Sequence, residues 1–323
     1  MDGDGDMDVL SASQWIDKIA LYEQEGCQSD DGTGGVELWD ECYSIENTTE
    51  LNLDNSGLTG EIPPEIGNLI NLTGLNLRGN DITGSIPPEI GNLTNLTYLN
   101  LGGNQLTGEI PSEIGNLTNL SYLGLNNNQI TGEIPSEIRN LNNLTGLHLG
   151  NNQFTREIPP EIGSLTNLTR LILYNNQLTR MIPSEIGNLT NLTYLNLRDN
   201  QLIGSIPSEI GSLTNLNRLF LYNNQLIGSI PLEISNLTNL TELSLENNQL
   251  TGGIPHGIGN LTNLINLILN DNQLTGVIPE SICDLNIDWS NSSYFNITNN
   301  QLCPPYPSCV EEYVGNQDNS NCD

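Results

Sequence analysis

The 323 residues carry a formal net charge of −31, with 39 acidic side chains against eight lysines and arginines together. The phosphate neutralisation on which nucleic-acid affinity depends is therefore missing, and DNA and RNA are excluded as partners. No run of 18 apolar residues occurs, so no membrane-spanning helix is expected. The acidity favours solubility and says less about fold.

Residues 1–26, MDGDGDMDVLSASQWIDKIALYEQEG, form an acidic leader that shares nothing with the rest of the chain. It is acidic where a secretory signal would be basic and apolar, as expected of a piece of a longer secreted protein or of a chain whose export signal has been removed. Asp2, Asp4, Asp6 and Asp8 alternate with Gly and Met, a spacing that can wrap a hard cation in oxygen ligands. An EF-hand counted from Asp2 would need Gly and Glu where Met7 and Ser13 stand, so that arrangement fails. With Val9-Leu10 and Lys18 to Tyr22, the run resembles one hairpin of an FG-GAP or VCBS propeller blade. That resemblance implies Ca2+ at the four aspartates. A single hairpin cannot close a propeller, and a plain acidic leader is the other reading of the same residues.

Residues 27–50 bring Cys27, Trp39, Cys42 and Tyr43 together just before the first leucines. They are expected to form a cap, because the first repeat would otherwise leave its apolar face in water.

From residue 51 to 302 the chain repeats every 24 residues. Asn80, Asn104, Asn128, Asn152, Asn176, Asn200, Asn224, Asn248 and Asn272 mark the register, and Leu93 to Asn116, LTNLTYLNLGGNQLTGEIPSEIGN, is a representative unit. Leu99 and Leu101 alternate with polar residues, which predicts a short strand with one buried face. One unit has too few apolar side chains to offset its own ordering, so units must stack. Each asparagine amide is expected to satisfy backbone groups at the turn after the strand. The prolines from Pro63 to Pro279 end a second extended piece and start a helical turn. The glycine column at 60, 84, 108 and 132 is interrupted by Arg156 and Arg180 before resuming at 204, which suggests that the backbone there does not require glycine. The glutamates at 65, 89, 113, 137, 161, 185, 209 and 233 fall in the first turn after each proline, where negative charge suits the positive end of a helical turn. Cation binding along this ladder is the lesser alternative.

The LxxLxLxxN segment followed by LTGxIPxxIGxL resembles the leucine-rich repeat family in its plant-type subclass. The resemblance implies an α/β solenoid: a curved array of about eleven coils, with a concave parallel β-sheet and convex turns or short helical segments.

Near the end the register lengthens, with Asn300 following Asn272 by 28 residues, so four extra residues enter near 288–293 and pairing resumes at Phe295 and Ile297. Residues 303–323 leave the pattern and form a second cap. All six cysteines flank the array, as Cys27 and Cys42 before it and Cys283, Cys303, Cys309 and Cys322 at its end. This favours disulfides over zinc and an oxidising, extracellular or cell-surface location. Of three possible pairings of the last four, register favours Cys283 with Cys309 and Cys303 with Cys322.

The only histidines, His148 and His256, lie more than four coils apart, so no catalytic constellation can be assembled and the chain is not expected to be an enzyme. The many N-x-S/T sequons follow automatically from the NLTNLT phrase. The strand positions facing away from the leucine core are more telling. In the sixth to eighth repeats they carry Arg170, Tyr174, Tyr194, Arg198, Arg218, Phe220 and Tyr222, three of only seven arginines together with four aromatics. Arg and Tyr dominate binding hot spots, although neutral drift of a surface yields such a set too. Arg156 and Arg180 extend the basic character towards the rim. By resemblance, a monomeric, non-enzymatic extracellular module is expected, binding a protein, peptide or glycan on its concave face without a required cofactor. A surface-lattice role such as ice binding, through the row Thr59, Thr83, Thr107, Thr131, Thr155 and Thr179, and a structural adhesin or spacer are the alternatives.

Overall fold

The computed structural model describes residues 27–30 and 32–322. The aspartates of the acidic leader, Asp2, Asp4, Asp6 and Asp8, and the Ca2+ expected there lie outside the described residues.

Leucine alternation produces one three-residue strand per coil, and the strands assemble into an eleven-stranded parallel sheet running from Glu50–Asn52 to Phe295–Asn296. Like pairs with like: Leu51 faces Leu75, Leu75 faces Leu99, and Leu243 faces Leu267. Behind the sheet Leu93, Leu96, Leu99, Leu101, Leu106 and Ile114 are fully buried, and the same positions of every coil join one continuous core. After each proline the chain makes a five-residue 3-10 turn, such as Ser112–Asn116 behind Pro111 at φ −65°. Shorter second strands, among them Ile203–Gly204, Gln225–Ser229 and Gln249–Thr251, pair along the flank.

The asparagine column joins coils in pairs. Asn104 donates through Nδ2 to the carbonyls of Leu77 and Leu101, at 2.9 and 3.0 Å, and its Oδ1 accepts from the Ile82 N–H at 3.2 Å. These backbone groups are buried beside the turn and have no water to bond instead. The NLT phrase also has structural work: Asn95 Nδ2 donates to the Ile70 carbonyl and the Thr97 hydroxyl to the Thr73 carbonyl.

One expectation needs correction. Arg156 and Arg180 adopt φ of 64° and 68°, in the left-handed region occupied by Gly132 at 78° and Gly204 at 77°. The turn keeps the conformation that glycine favours, and the arginines bear the steric cost of a Cβ there.

At the N-terminal end, Gly35–Leu38 and Glu41–Ser44 form an antiparallel hairpin tied by the Cys27–Cys42 disulfide, with Val36 and Leu38 buried on the first coil. Trp39 and Asp40 turn the hairpin with positive φ at both positions, the geometry that matches strand twist. At the other end Cys283 joins Cys309 and Cys303 joins Cys322. The four-residue insertion places Trp289 edge-on against Phe295, ring centroids 4.8 Å apart, where the core would otherwise end.

Candidate functional site

Because equivalent residues of successive coils stand side by side, outward-facing strand residues form ladders across the sheet. Arg170 faces Tyr194 and Tyr194 faces Arg218 in one ladder. A second, just past the strands, runs Tyr174, Arg198, Tyr222 and Glu246 at the same 24-residue spacing.

The structure brings all seven expected residues into one continuous cluster. The Arg198 guanidinium lies between two rings, 4.7 Å from the Tyr174 centroid and 5.4 Å from that of Tyr222, and hydrogen-bonds to the Tyr222 hydroxyl. Arg170 sits 5.2 Å from the Tyr194 centroid. Phe220 joins the ladders, edge-on to Tyr194 at 5.7 Å and to Tyr222 at 6.3 Å. Arg170 and Arg218 are exposed and the other five are half-buried. A shallow cavity of about 390 Å³ opens between Arg170, Tyr194, Arg218 and Thr241. A larger surface cavity, about 800 Å³, lies elsewhere, along the proline turns beside Met181, Pro183, Pro207 and Pro231. Its walls follow from the stacking of like turns, whereas the concave cluster departs from the repeat.

The cluster is less cationic than its arginines suggest. Arg218 pairs with Glu242 at 2.9 Å, and Arg198 lies 3.7 Å from Asp199. At the rim Arg156 pairs with Glu133 at 2.6 Å. Arg170 alone of the three concave arginines has no carboxylate partner among the described residues.

Three further residues complete the site: sequence reasoning weighed His148 only as a catalytic group, and it did not single out Glu242 or Glu246. His148 lies beside Tyr174, ring centroids 6.1 Å apart, with Nε2 buried and without a hydrogen bond. Burial, with help from the Arg170 charge, pushes its imidazole down to about 4, so it is neutral at physiological pH. Glu242 and Glu246 follow Arg218 and Tyr222 by one coil. Burial pushes the Glu246 carboxyl up to about 7 against a hydrogen bond from its own backbone N–H, and the charges of Asp199 and Asp271 raise it further. Its Oε2 is buried with no hydrogen-bond partner. All three positions follow from extending the register one coil beyond the cluster on either side.

Among the described residues no group of three or more His, Cys, Asp or Glu is arranged to hold a metal ion, and no helix is long and apolar enough to cross a membrane. The row from Thr83 to Thr179 is structurally engaged: Thr107, Thr131 and Thr155 donate their hydroxyls to the carbonyls of Gly84, Gly108 and Gly132 at 3.1–3.2 Å.

Family models match most of the repeat array. A leucine-rich repeat region is found at residues 104–198 and 183–286, a pair of leucine-rich repeats at 70–112 and a single repeat at 47–69. No curated protein sequence matches the chain. Among solved structures, the Arabidopsis receptor kinase HAESA, in complex with a peptide hormone and a co-receptor, superposes with a TM-score of 0.72 at 29% identity, over 86% of this chain and 55% of that one. A Leptospira interrogans leucine-rich repeat protein is 37% identical, with a TM-score of 0.62, over 83% of this chain and 71% of that one. A plant ice-binding protein is 25% identical, with a TM-score of 0.57, over 91% and 88%. This chain thus spans about half the length of the plant receptor structure. With the repeat models covering residues 47–286 and the stacked-coil geometry matching throughout, the chain belongs to the leucine-rich repeat proteins.

Proposed function

We propose that this protein is a non-enzymatic extracellular recognition module that binds a peptide, or a peptide-like segment of a protein or glycoprotein, across the concave face of coils six to eight. The observation that carries this reading is the single cluster of Arg170, Tyr174, Tyr194, Arg198, Arg218, Phe220 and Tyr222. Rigid aromatic area and directed donors are concentrated there on adjacent strands, about 4.8 Å apart. The peptide complex of the similar plant receptor supports it, and three disulfides suit an oxidising compartment. In the same reading the repeats are of the plant-type 24-residue subclass, the chain works as a monomer, and the leader takes Ca2+ weakly through Asp2, Asp4, Asp6 and Asp8. Panning a random dodecapeptide display library on the disulfide-intact chain tests it. Enriched peptides should lose binding to the Arg170→Ala, Arg198→Ala, Arg218→Ala triple variant; peptides that bind both proteins equally contradict the site.

A second reading, lattice binding to ice, draws on a regular flank array of Asn143, Thr145, Asn167, Thr169, Asn191 and Thr193 and on the similar plant ice-binding protein. Thermal hysteresis of the purified chain tests it, and a freezing point equal to the melting point removes it.

A further inference from the structure

The ladder Tyr174, Arg198, Tyr222 shows how this face holds a cation, with a guanidinium between two tyrosine rings and hydrogen-bonded to the second hydroxyl. One coil further on, beyond Tyr222, stands Glu246, which has no salt-bridge partner among the described residues. The neighbouring ladder makes the contrast. There the same two coils carry Arg218 and Glu242, which pair at 2.9 Å. Where the first ladder has an arginine opposite its glutamate, the second has Tyr222, so the Glu246 carboxylate is left with its Oε2 buried and unbonded. Asp199 and Asp271 add negative charge around Glu246. A half-buried carboxylate without a partner, one coil from an aromatic ring, lacks a donor-rich cation.

We propose that Glu246 is the specificity-determining acceptor of the concave groove, taking the ammonium or guanidinium of a lysine or arginine in a peptide that lies across coils seven to nine. This rests on the peptide-binding reading above. The bound cation would lie against Tyr222 on the side away from Arg198, donating to the half-buried Glu246 carboxylate. The groove then has a direction: Arg170, the arginine without a carboxylate partner, meets the acidic or polar part of the peptide, and Glu246 meets its basic residue. Burial pushes the Glu246 carboxyl up to about 7, which fits an acceptor whose charge is uncompensated until the ligand arrives.

The test is a dodecapeptide display selection run in parallel on the parent, on Glu246→Gln and on Glu209→Gln, an exposed glutamate of a 3-10 turn outside the cluster, with circular dichroism verifying that each variant is folded. The parent and Glu209→Gln should enrich peptides with Lys or Arg at one fixed position, and Glu246→Gln should lose that preference at least fivefold. A synthetic peptide from the parent pool, with that lysine or arginine replaced by norleucine, should lose about tenfold in affinity for the parent and none for Glu246→Gln, as expected of a direct pair. A pool that depends on Arg170, Arg198 and Arg218 but has no basic position overturns the assignment of Glu246 alone. Equal norleucine losses on parent and Glu246→Gln overturn it too. A pool indifferent to the three arginines overturns the concave site and this proposal with it.

Discussion

Arg198 stacks on Tyr174 one coil away, its guanidinium carbon 4.7 Å from the ring centroid. Tyr222 takes its hydrogen bond from the other side, so a residue that points away from the leucine core still ties three coils together. Arg198→Ala should therefore cost about 1 kcal/mol of stability from lost cation–π contact, and Arg198→Lys nearly as much, because an ammonium lacks the planar face that stacks. Denaturant midpoints read this directly, and unchanged midpoints in both variants contradict it.

The asparagine column should be far less tolerant. Asn104→Ala leaves the Ile82 N–H buried without a partner and takes one of two amide donors from each of the Leu77 and Leu101 carbonyls, which Asn80 and Asn128 also reach, for which a loss of about 1–3 kcal/mol is expected. Asn95→Ala breaks one exposed bond to the Ile70 carbonyl and should cost about 0.5–1 kcal/mol. Similar losses in the two variants, measured by urea unfolding, argue against the coil-joining role.

Left-handed arginines invite a substitution that improves stability. Arg180→Gly should stabilise the chain by about 0.5–1 kcal/mol, since glycine adopts φ near 70° without a Cβ penalty. Arg156→Gly should gain less, because it also loses the exposed pair with Glu133, worth about 0.2–1 kcal/mol. A lower melting temperature for Arg180→Gly contradicts this account of the turn.

Two half-buried groups at the concave site titrate in opposite senses. His148 has a folded pKa lowered to about 4 from 6.5, so its contribution to stability is present above pH 6.5 and is lost as pH falls through 4. Glu246 has a folded pKa raised to about 7 from 4.5, so its contribution is present below pH 4.5 and is lost as pH rises through 7. Glu246→Gln should therefore melt higher than the parent above pH 7 and match it at pH 4, while His148→Gln should melt higher only below about pH 5. After allowance for solvent screening each effect is about 1–2 kcal/mol at its limit. Parallel pH profiles for parent and variants contradict both shifts.

The repeat was legible in the sequence because one unit, Leu93 to Asn116, dictates strand, turn and core together, and its 24-residue register carries each choice to the next coil. Cys283 and Cys309 were placed on adjacent coils by the same counting, and the structure joins them. The seven residues of the candidate site stood out because they break the repeat where it is under least constraint. Their pairing was not legible: whether Arg218 is free or bound to Glu242 depends on which rotamer meets which neighbour across the sheet. The conformation at Arg156 and Arg180 was misjudged for a related reason, since residue identity alone does not show whether a turn relaxes or keeps its left-handed φ. Glu246 escaped notice because a single glutamate in so acidic a chain carries no compositional signal; only its buried, unbonded oxygen marks it.

The central claim is that peptide recognition is concentrated on coils six to eight of the concave face. Titration calorimetry with one synthetic peptide from the display selection tests it most directly, comparing the parent with Arg198→Ala, Tyr222→Ala, Asn100→Ala and Asn126→Ala. The first two variants should each lose more than about 1 kcal/mol of binding, roughly fivefold or more in Kd, while the two asparagine variants on coils three and four should change Kd less than twofold. Losses that are equal across all four variants, or larger at Asn100 and Asn126, contradict the account.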